Sequence, residues 1–177
     1  MTRQRAKLSL SVLFCVLAAW PAVAAGKRFA DWATVLHARH GFQIAYPGNV
    51  FLLSSGPVNE DGQVFVSRDG AAKLIVGAFA NDGAATLREY RSQILEQNYA
   101  GADIDFGPIK RNWFIVSGTR GTMHFYERVS FTCDGHLINS WALLYSASMR
   151  AYYDRVVEAI APTYSPGAGQ DGHCDGL

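Results

Sequence analysis

Two long apolar runs, "TMHFYERVSFT" and "HLINSWALLYS", stand on either side of Cys133-Asp134-Gly135, and this arrangement leaves the chain few folds to choose from. An Asp-Gly pair at the centre of a two-residue loop favours a type I′ hairpin turn, because both central positions need positive φ. That turn sets a register in which Cys133 faces His136, Phe131 faces Ile138, Val129 faces Ser140, Arg128 faces Trp141 and Glu127 faces Ala142. One sheet face then carries Met123, Phe125, Val129, Phe131, Ile138 and Leu144; the other carries Tyr126, Trp141, Leu143 and Tyr145. Both faces are apolar, so the hairpin is expected as the central pair of a sheet covered on both sides. A slip of one residue would exchange the two sets.

The rest of the chain supplies further strands and two helices. "WATVLHARHGFQIAYPGNVF" reads as two short strands, near 33–37 and 42–46, closed by Pro47-Gly48. "SSGPVNEDGQ" is a polar loop, and "VFVSRDGAAKLIVGAF" is strand, Asp69-Gly70 turn, strand. Thr86 and Glu89 have the spacing of a capping box, in which each side chain satisfies the other's free backbone N–H. The helix they open places Leu87, Tyr90, Ile94 and Leu95 on one face, with Arg88, Arg91, Glu96 and Gln97 pointing away. Strands follow around 103–109, 113–118 and 121–132. After the hairpin, Tyr152, Tyr153, Val156, Val157 and Ile160 form the stripe of a second helix over 149–161. Ser146 or Ser148 is placed to cap it, and Pro162 ends it. Runs of hairpins with two helices describe an α+β fold, an antiparallel sheet flanked by helices, rather than a wound parallel sheet.

The N-terminus bears on compartment. Arg3, Arg5 and Lys7 precede the apolar run "LSLSVLFCVLAAW", which ends in Pro21 and the Ala22-Val23-Ala24 cleavage frame. Residues 1–25 therefore read as a secretory signal peptide, too short an apolar run for a membrane anchor. Residues 26–166 suit a single domain, and 167–177 form a Gly-rich tail. The expected location is periplasmic or secreted, with no membrane span after cleavage. Of the 16 basic residues, three lie in the leader, which leaves 13 against 15 acidic ones. Without a basic excess, no nucleic acid is expected as a partner.

At this point the residues resemble a known group. "FQIAYPGNVF", "FVSRDGAAKLIVGAF", "NWFIVSGTRGTMHFYERVSF" and "YSASMRAYYDRVVEAIAPTYSP", in that order across residues 32–166, are similar to small exported bacterial proteins of the DcrB-like and PsbP-like type. The resemblance implies an α/β/α sandwich. It also implies a binding or accessory role, since relatives include photosystem extrinsic subunits, a partner of a nuclear-transport GTPase and envelope proteins. No catalytic residue and no cofactor is carried over.

Candidate chemistry is sparse. No phosphate loop, nucleophile elbow, zinc-protease helix or dinucleotide fingerprint is present. Ser67 beside Asp69 reads as turn chemistry, with no His in a matching frame. Glu127 is the lone charge on its face of the hairpin, where it could serve as an acid or base but is expected to pair with an Arg from a neighbouring strand or to sit at an edge in water. Asp103 and Asp105 lie two apart on one strand face. A hydrolase using Glu127 or this pair is one alternative. Arg128 opposite Trp141 suggests a cation–π contact. His37 and His40 are expected in a solvated loop. Cys133, His136, His173 and Cys174 are a possible zinc set, and a zinc-binding protein is the second alternative. An oxidising compartment favours a Cys133–Cys174 disulfide, with no metal. By loop-closure entropy, linking about 42 residues is worth roughly 4 kcal/mol. The leading expectation is a non-enzymatic envelope module whose partner is a protein or a small ligand, held in an aromatic groove near Trp32, Tyr46 and Phe51.

Overall fold

The computed structural model describes residues 29–54, 60–170 and 172–174; the signal peptide read from residues 1–25 lies outside them. Nine strands and two helices follow in the order β1 (Trp32–Leu36), β2 (Gln43–Pro47), β3 (Phe51–Leu53), β4 (Gly62–Ser67), β5 (Ala72–Ala80), α1 (Leu87–Gln97), β6 (Asp103–Phe106), β7 (Trp113–Arg120), β8 (Met123–Thr132), β9 (Leu137–Ser146) and α2 (Arg150–Ile160). Seven strands form one antiparallel sheet in the order β3-β4-β5-β9-β8-β7-β6, while β1 and β2 pair as a separate hairpin.

The β8–β9 pair sits inside the sheet as its faces require, and its register is the one the Asp-Gly turn dictates: Phe131 opposite Ile138, Arg128 opposite Trp141, Glu127 opposite Ala142. Asp134 and Gly135 both adopt positive φ, 52° and 95°, and the His136 N–H donates to the Cys133 carbonyl at 2.9 Å. Pleating then sends Leu137, Trp141, Leu143 and Tyr145 to one core and Phe125, Val129, Phe131 and Ile138 to the other. Met123 departs from its set: it begins β8 at the end of the sheet and is exposed.

Each face has its own cover. On one, Tyr153, Val156, Val157 and Ile160 of α2 pack with Phe42 and Ile44 of the β1–β2 hairpin region against β4, β5 and β9. On the other, Ile94 of α1, with Leu87, Tyr90 and Leu95, packs against β7, β8 and Ile138. The capping box forms in full: Thr86 Oγ1 accepts from the Glu89 N–H and Glu89 Oε2 accepts from the Thr86 N–H. The α2 cap differs from expectation. Met149 is its N-cap with no side-chain bond, because a 3-10 turn at Ala147–Met149 precedes it and Ser146 and Ser148 bond each other.

The segment after α2 is tied across the α2 face. Ser165 bridges to Gln43, and the Asn139 side chain accepts from the Gly167 N–H at 2.8 Å while Thr132 Oγ1 donates to the Gly167 carbonyl at 2.6 Å. Gly167 is buried against β2's approach; a Cβ there would overlap the His40 carbonyl oxygen. The strap ends at the hairpin tip, where Cys174 is disulfide-bonded to Cys133 with Cα atoms 5.4 Å apart.

Candidate binding surfaces

The expected aromatic groove does not assemble. Phe51 is 1% exposed, since the pleat of β3 turns it into the core. Tyr46 is half-buried with its ring 4.4 Å from that of Phe65, and only Trp32 is exposed, at the start of β1. Alternation along each strand separates the three: Trp32 pairs with Pro47 and Tyr46 with Ala33, so the two aromatics leave opposite faces of their hairpin.

Glu127 is buried, and no basic side chain among the described residues forms an ion pair with it. Neither expected environment is found: no Arg of a neighbouring strand pairs with it, and burial inside the sheet keeps it from an edge in water. Instead Tyr99 Oη donates to Glu127 Oε2 at 2.7 Å, within a stack of Tyr99 on Phe125 at 3.9 Å. Burial pushes the Glu127 carboxyl above the usual carboxylate range, against a smaller downward pull from the Tyr99 hydrogen bond. Tyr99 is itself pushed up, by burial first and the nearby carboxyl second, and Tyr90 is raised to about 12 for the same reasons.

The remaining candidates disperse. Asp103 and Asp105 lie on β6, an exposed edge strand with an irregularity between Ile104 and Phe106 that breaks their shared alternation. Asp105 ion-pairs with Arg150 at 2.9 Å. Ser67 donates to Asp69 at 2.7 Å and accepts from the Ala72 N–H, and Tyr153 Oη also donates to Asp69. This is a turn network, and it holds the Asp69 carboxyl low, chiefly through the Ser67 bond. His40 is a correction: it is buried, 2.9 Å from Asp61, with the His37 ring stacked between it and Phe42. The zinc set is also corrected. Its two sulfurs are bonded to each other and offer no thiolate, and among the described residues no cluster of three or more His, Cys, Asp or Glu could hold a metal.

Several clefts open among the described residues, three of them at the hairpin tip, at the disulfide and against β3–β5. One of about 670 Å³ runs between the α1 N-terminus and the hairpin tip, past Asn81, Arg111 and His136. A smaller one, of about 510 Å³, borders the disulfide with Asp134 and His136. The third, of about 670 Å³, lies against β3–β5 and is lined by Leu53, Val64, Ile75 and Phe79, with Glu60 and Asp61. Glu127, Asp103 and Asp105 line none of them.

The third cleft belongs to a wider apolar surface. Val64 and Ile75 are direct cross-strand partners, and Leu52, opposite Val66, points to the same side. Together with Phe79 they are 38–46% exposed on the α1 side of the sheet. Tyr90 of α1 reaches Phe79 at 6.1 Å, and the helix covers no strand beyond it. The sequence carried a trace of this surface: "LIVGAF" places Leu74, Val76 and Ala78 in one alternation and Ile75 and Phe79 in the other. That pattern was a sign that β5 needs cover on both faces, or exposes one.

The fold can be compared with known ones. No protein-family profile matches the sequence, and no curated protein does. Among solved structures, the chain is similar to the cyanobacterial PsbP protein (CyanoP) of Synechocystis sp. PCC 6803, with a TM-score of 0.57 and 12% identity over 80% of this chain and 95% of that one. It is also similar to the Ran-binding protein Mog1p of Saccharomyces cerevisiae, with a TM-score of 0.55 and 9% identity over 77% and 96%. The architecture is that of PsbP and Mog1p; at such identities the fold alone is shared.

Proposed function

We propose that the chain is an exported, non-enzymatic binding module of the cell envelope that holds a protein partner on the open α1 side of β3, β4 and β5. The observation that carries this reading is the contiguous exposed set Leu52, Val64, Ile75 and Phe79 beside a cleft of about 670 Å³. Grouped exposed apolar side chains of this kind mark interaction surfaces, whereas isolated ones do not. Mog1p, a protein of the same architecture, is Ran-binding, so a protein ligand is compatible with the fold. The leader at residues 1–25, the resemblance to DcrB-like envelope proteins and the Cys133–Cys174 disulfide support a periplasmic or secreted location. The mature unit is then the domain 26–166 with its tail, 167–177, pinned to the hairpin tip.

Site-specific photocrosslinking in the native envelope tests it. A crosslinker at position 64 or 75 is expected to give a discrete adduct that one at the exposed Glu158 position does not. Equal labelling from both places, or none from 64 and 75, would remove the reading.

A further inference from the structure

The tip of the central hairpin carries a feature that the apolar surface on β3–β5 does not explain. A two-residue type I′ turn needs positive φ at two positions. Here three consecutive residues have it: Cys133 at 54°, Asp134 at 52° and Gly135 at 95°. The Asp-Gly pair accounts for two of them, and the third falls on a bonded cysteine. Cys174, the other end of the disulfide, is also left-handed, at 59°. Left-handed backbone crowds the Cβ of any residue but glycine, and the short polar side chains of Asp and Asn ease it through local hydrogen bonds. Cysteine has no such relief. Both ends of the bond are therefore held in backbone that can relax once the bond opens. Strain of this kind collects at functional positions.

The bond is also open to attack. Both cysteines are half-buried, and a cleft of about 510 Å³ is lined by Cys133, Asp134, His136 and Cys174. Cys133, Asp134 and His136 line the neighbouring cleft of about 670 Å³ as well. Nor does the strap depend on the bond to stay in place. Asn139 and Thr132 clamp Gly167, Ser165 bridges to Gln43, and the Gly169 N–H donates to the His40 carbonyl at 3.1 Å. Beyond Gly169 the hydrogen bonds of the described residues run inside the tail, from the Gly172 N–H to the Gly169 carbonyl and from the Cys174 N–H to the Ala168 carbonyl. The disulfide is the last attachment of the tail, and opening it leaves the strap held as far as Gly169.

We propose that Cys133–Cys174 is a thiol–disulfide exchange site, opened in the folded protein by a dithiol reductant. One thiolate of the reductant attacks a sulfur of the pair. The Cys133–Cys174 bond breaks, a mixed disulfide forms, and the other cysteine leaves as a thiolate that takes up a proton. The second thiol of the reductant then attacks the mixed disulfide. The reductant departs as a disulfide, having given up two electrons and two protons, and Cys133 and Cys174 hold them as two thiols. Reoxidation by a disulfide runs the same steps in reverse. Exposed or strained disulfides are the exchangeable ones, whereas structural disulfides resist the glutathione pool. This site lies apart from the proposed protein surface and does not rest on that reading.

The test uses the oxidised mature protein with no substitution. It is treated with dithiothreitol in native buffer and, separately, in guanidinium, and the thiols are trapped by alkylation and counted by mass spectrometry. Reduction of the folded protein is expected within about tenfold of the rate for the unfolded chain, since only a local opening is needed. A bond that opened only on global unfolding would react roughly 10³-fold more slowly or worse, and that outcome would overturn the proposal. Hydrogen exchange of the reduced protein is expected to lose protection at the hairpin tip and at 168–174 alone; loss across β9 or α2 would equally overturn it. In mixtures of reduced and oxidised glutathione both forms are expected to be populated. A bond that stays fully oxidised in excess reduced glutathione is a structural one, and the exchange site is then removed.

Discussion

The two faces of the sheet are built from the same strands and are filled differently. On the α2 side, Trp141, Tyr145 and Tyr153 are fully buried beneath α2, the β1–β2 hairpin and the strap. On the α1 side a single helix does the covering, the core is a smaller set around Phe114, Phe125 and Phe131, and a carboxyl is sealed inside it. Seven strands at about 4.8 Å spacing make a sheet roughly 29 Å wide, whereas one helix is about 10 Å across. One helix per face therefore leaves flanks open. Because α1 sits over β7 and β8 while α2 sits over β5 and β9, the flanks are diagonal: apolar at β3–β5 on one face, cationic and aromatic at β7–β8 on the other. The difference teaches that surface in this fold is decided by which strands lack a cover, and less by how polar each strand is.

The strongest way to break this comparison is Trp141→Ala. On the well-covered face, where surrounding layers restrict collapse, it is expected to cost about 3–5 kcal/mol in chemical denaturation. A loss below that would show the α2 side to be no better packed than its counterpart. Removing the covalent anchor is next. Cys133→Ser is expected to cost about 2 kcal/mol, the low end for a native disulfide, because Asn139 already holds Gly167 and much of the closed loop is ordered without it. The same midpoint shift should follow reduction of the unaltered protein.

The α1 side responds to pH. Burial raises the Glu127 carboxyl in the folded state above its ordinary 4.5, so the native state holds a proton that the unfolded chain releases. Stability is then lost as pH rises from about 4.5 through the folded pKa, by up to about 1.4 kcal/mol per pH unit. Glu127→Gln keeps a Tyr99 acceptor without the titration. Its stability relative to the parent is expected to rise with pH in that window and to be flat below it; a gap independent of pH would mean that the carboxyl is solvated. The smallest effect expected is at the cap of α1. Thr86→Ala should cost about 1 kcal/mol, with weakened hydrogen-exchange protection confined to Leu87–Gln97.

The central hairpin was the most legible part of the molecule. An Asp-Gly turn and strict alternation set its register, and register alone sorted Phe125, Val129 and Phe131 from Trp141, Leu143 and Tyr145. Both helices were legible for the same reason, periodicity backed at α1 by a capping box. Contacts between elements were not. Arg128 was paired with Trp141 on register, but a long side chain chooses among diagonal neighbours, and here it rests on Trp113. His40 was placed in solvent because "HARHG" is polar, yet the β1–β2 hairpin folds it under the strap and against Asp61. The aromatic groove failed where a strand of three residues, β3, put Phe51 inward.

Local rules of turn chemistry, alternation and helical spacing act over a few residues, and by themselves they determined the strands, the helices, the central pairing and the two-sided demand for cover. The tertiary structure alone decided where that cover falls short. A helix's position across a sheet depends on loop lengths and on competition among distant apolar stripes, which no short window of sequence records. For that reason the exposed Val64–Ile75 row and the unpartnered Nε of Arg128 come into view only once the layers are stacked.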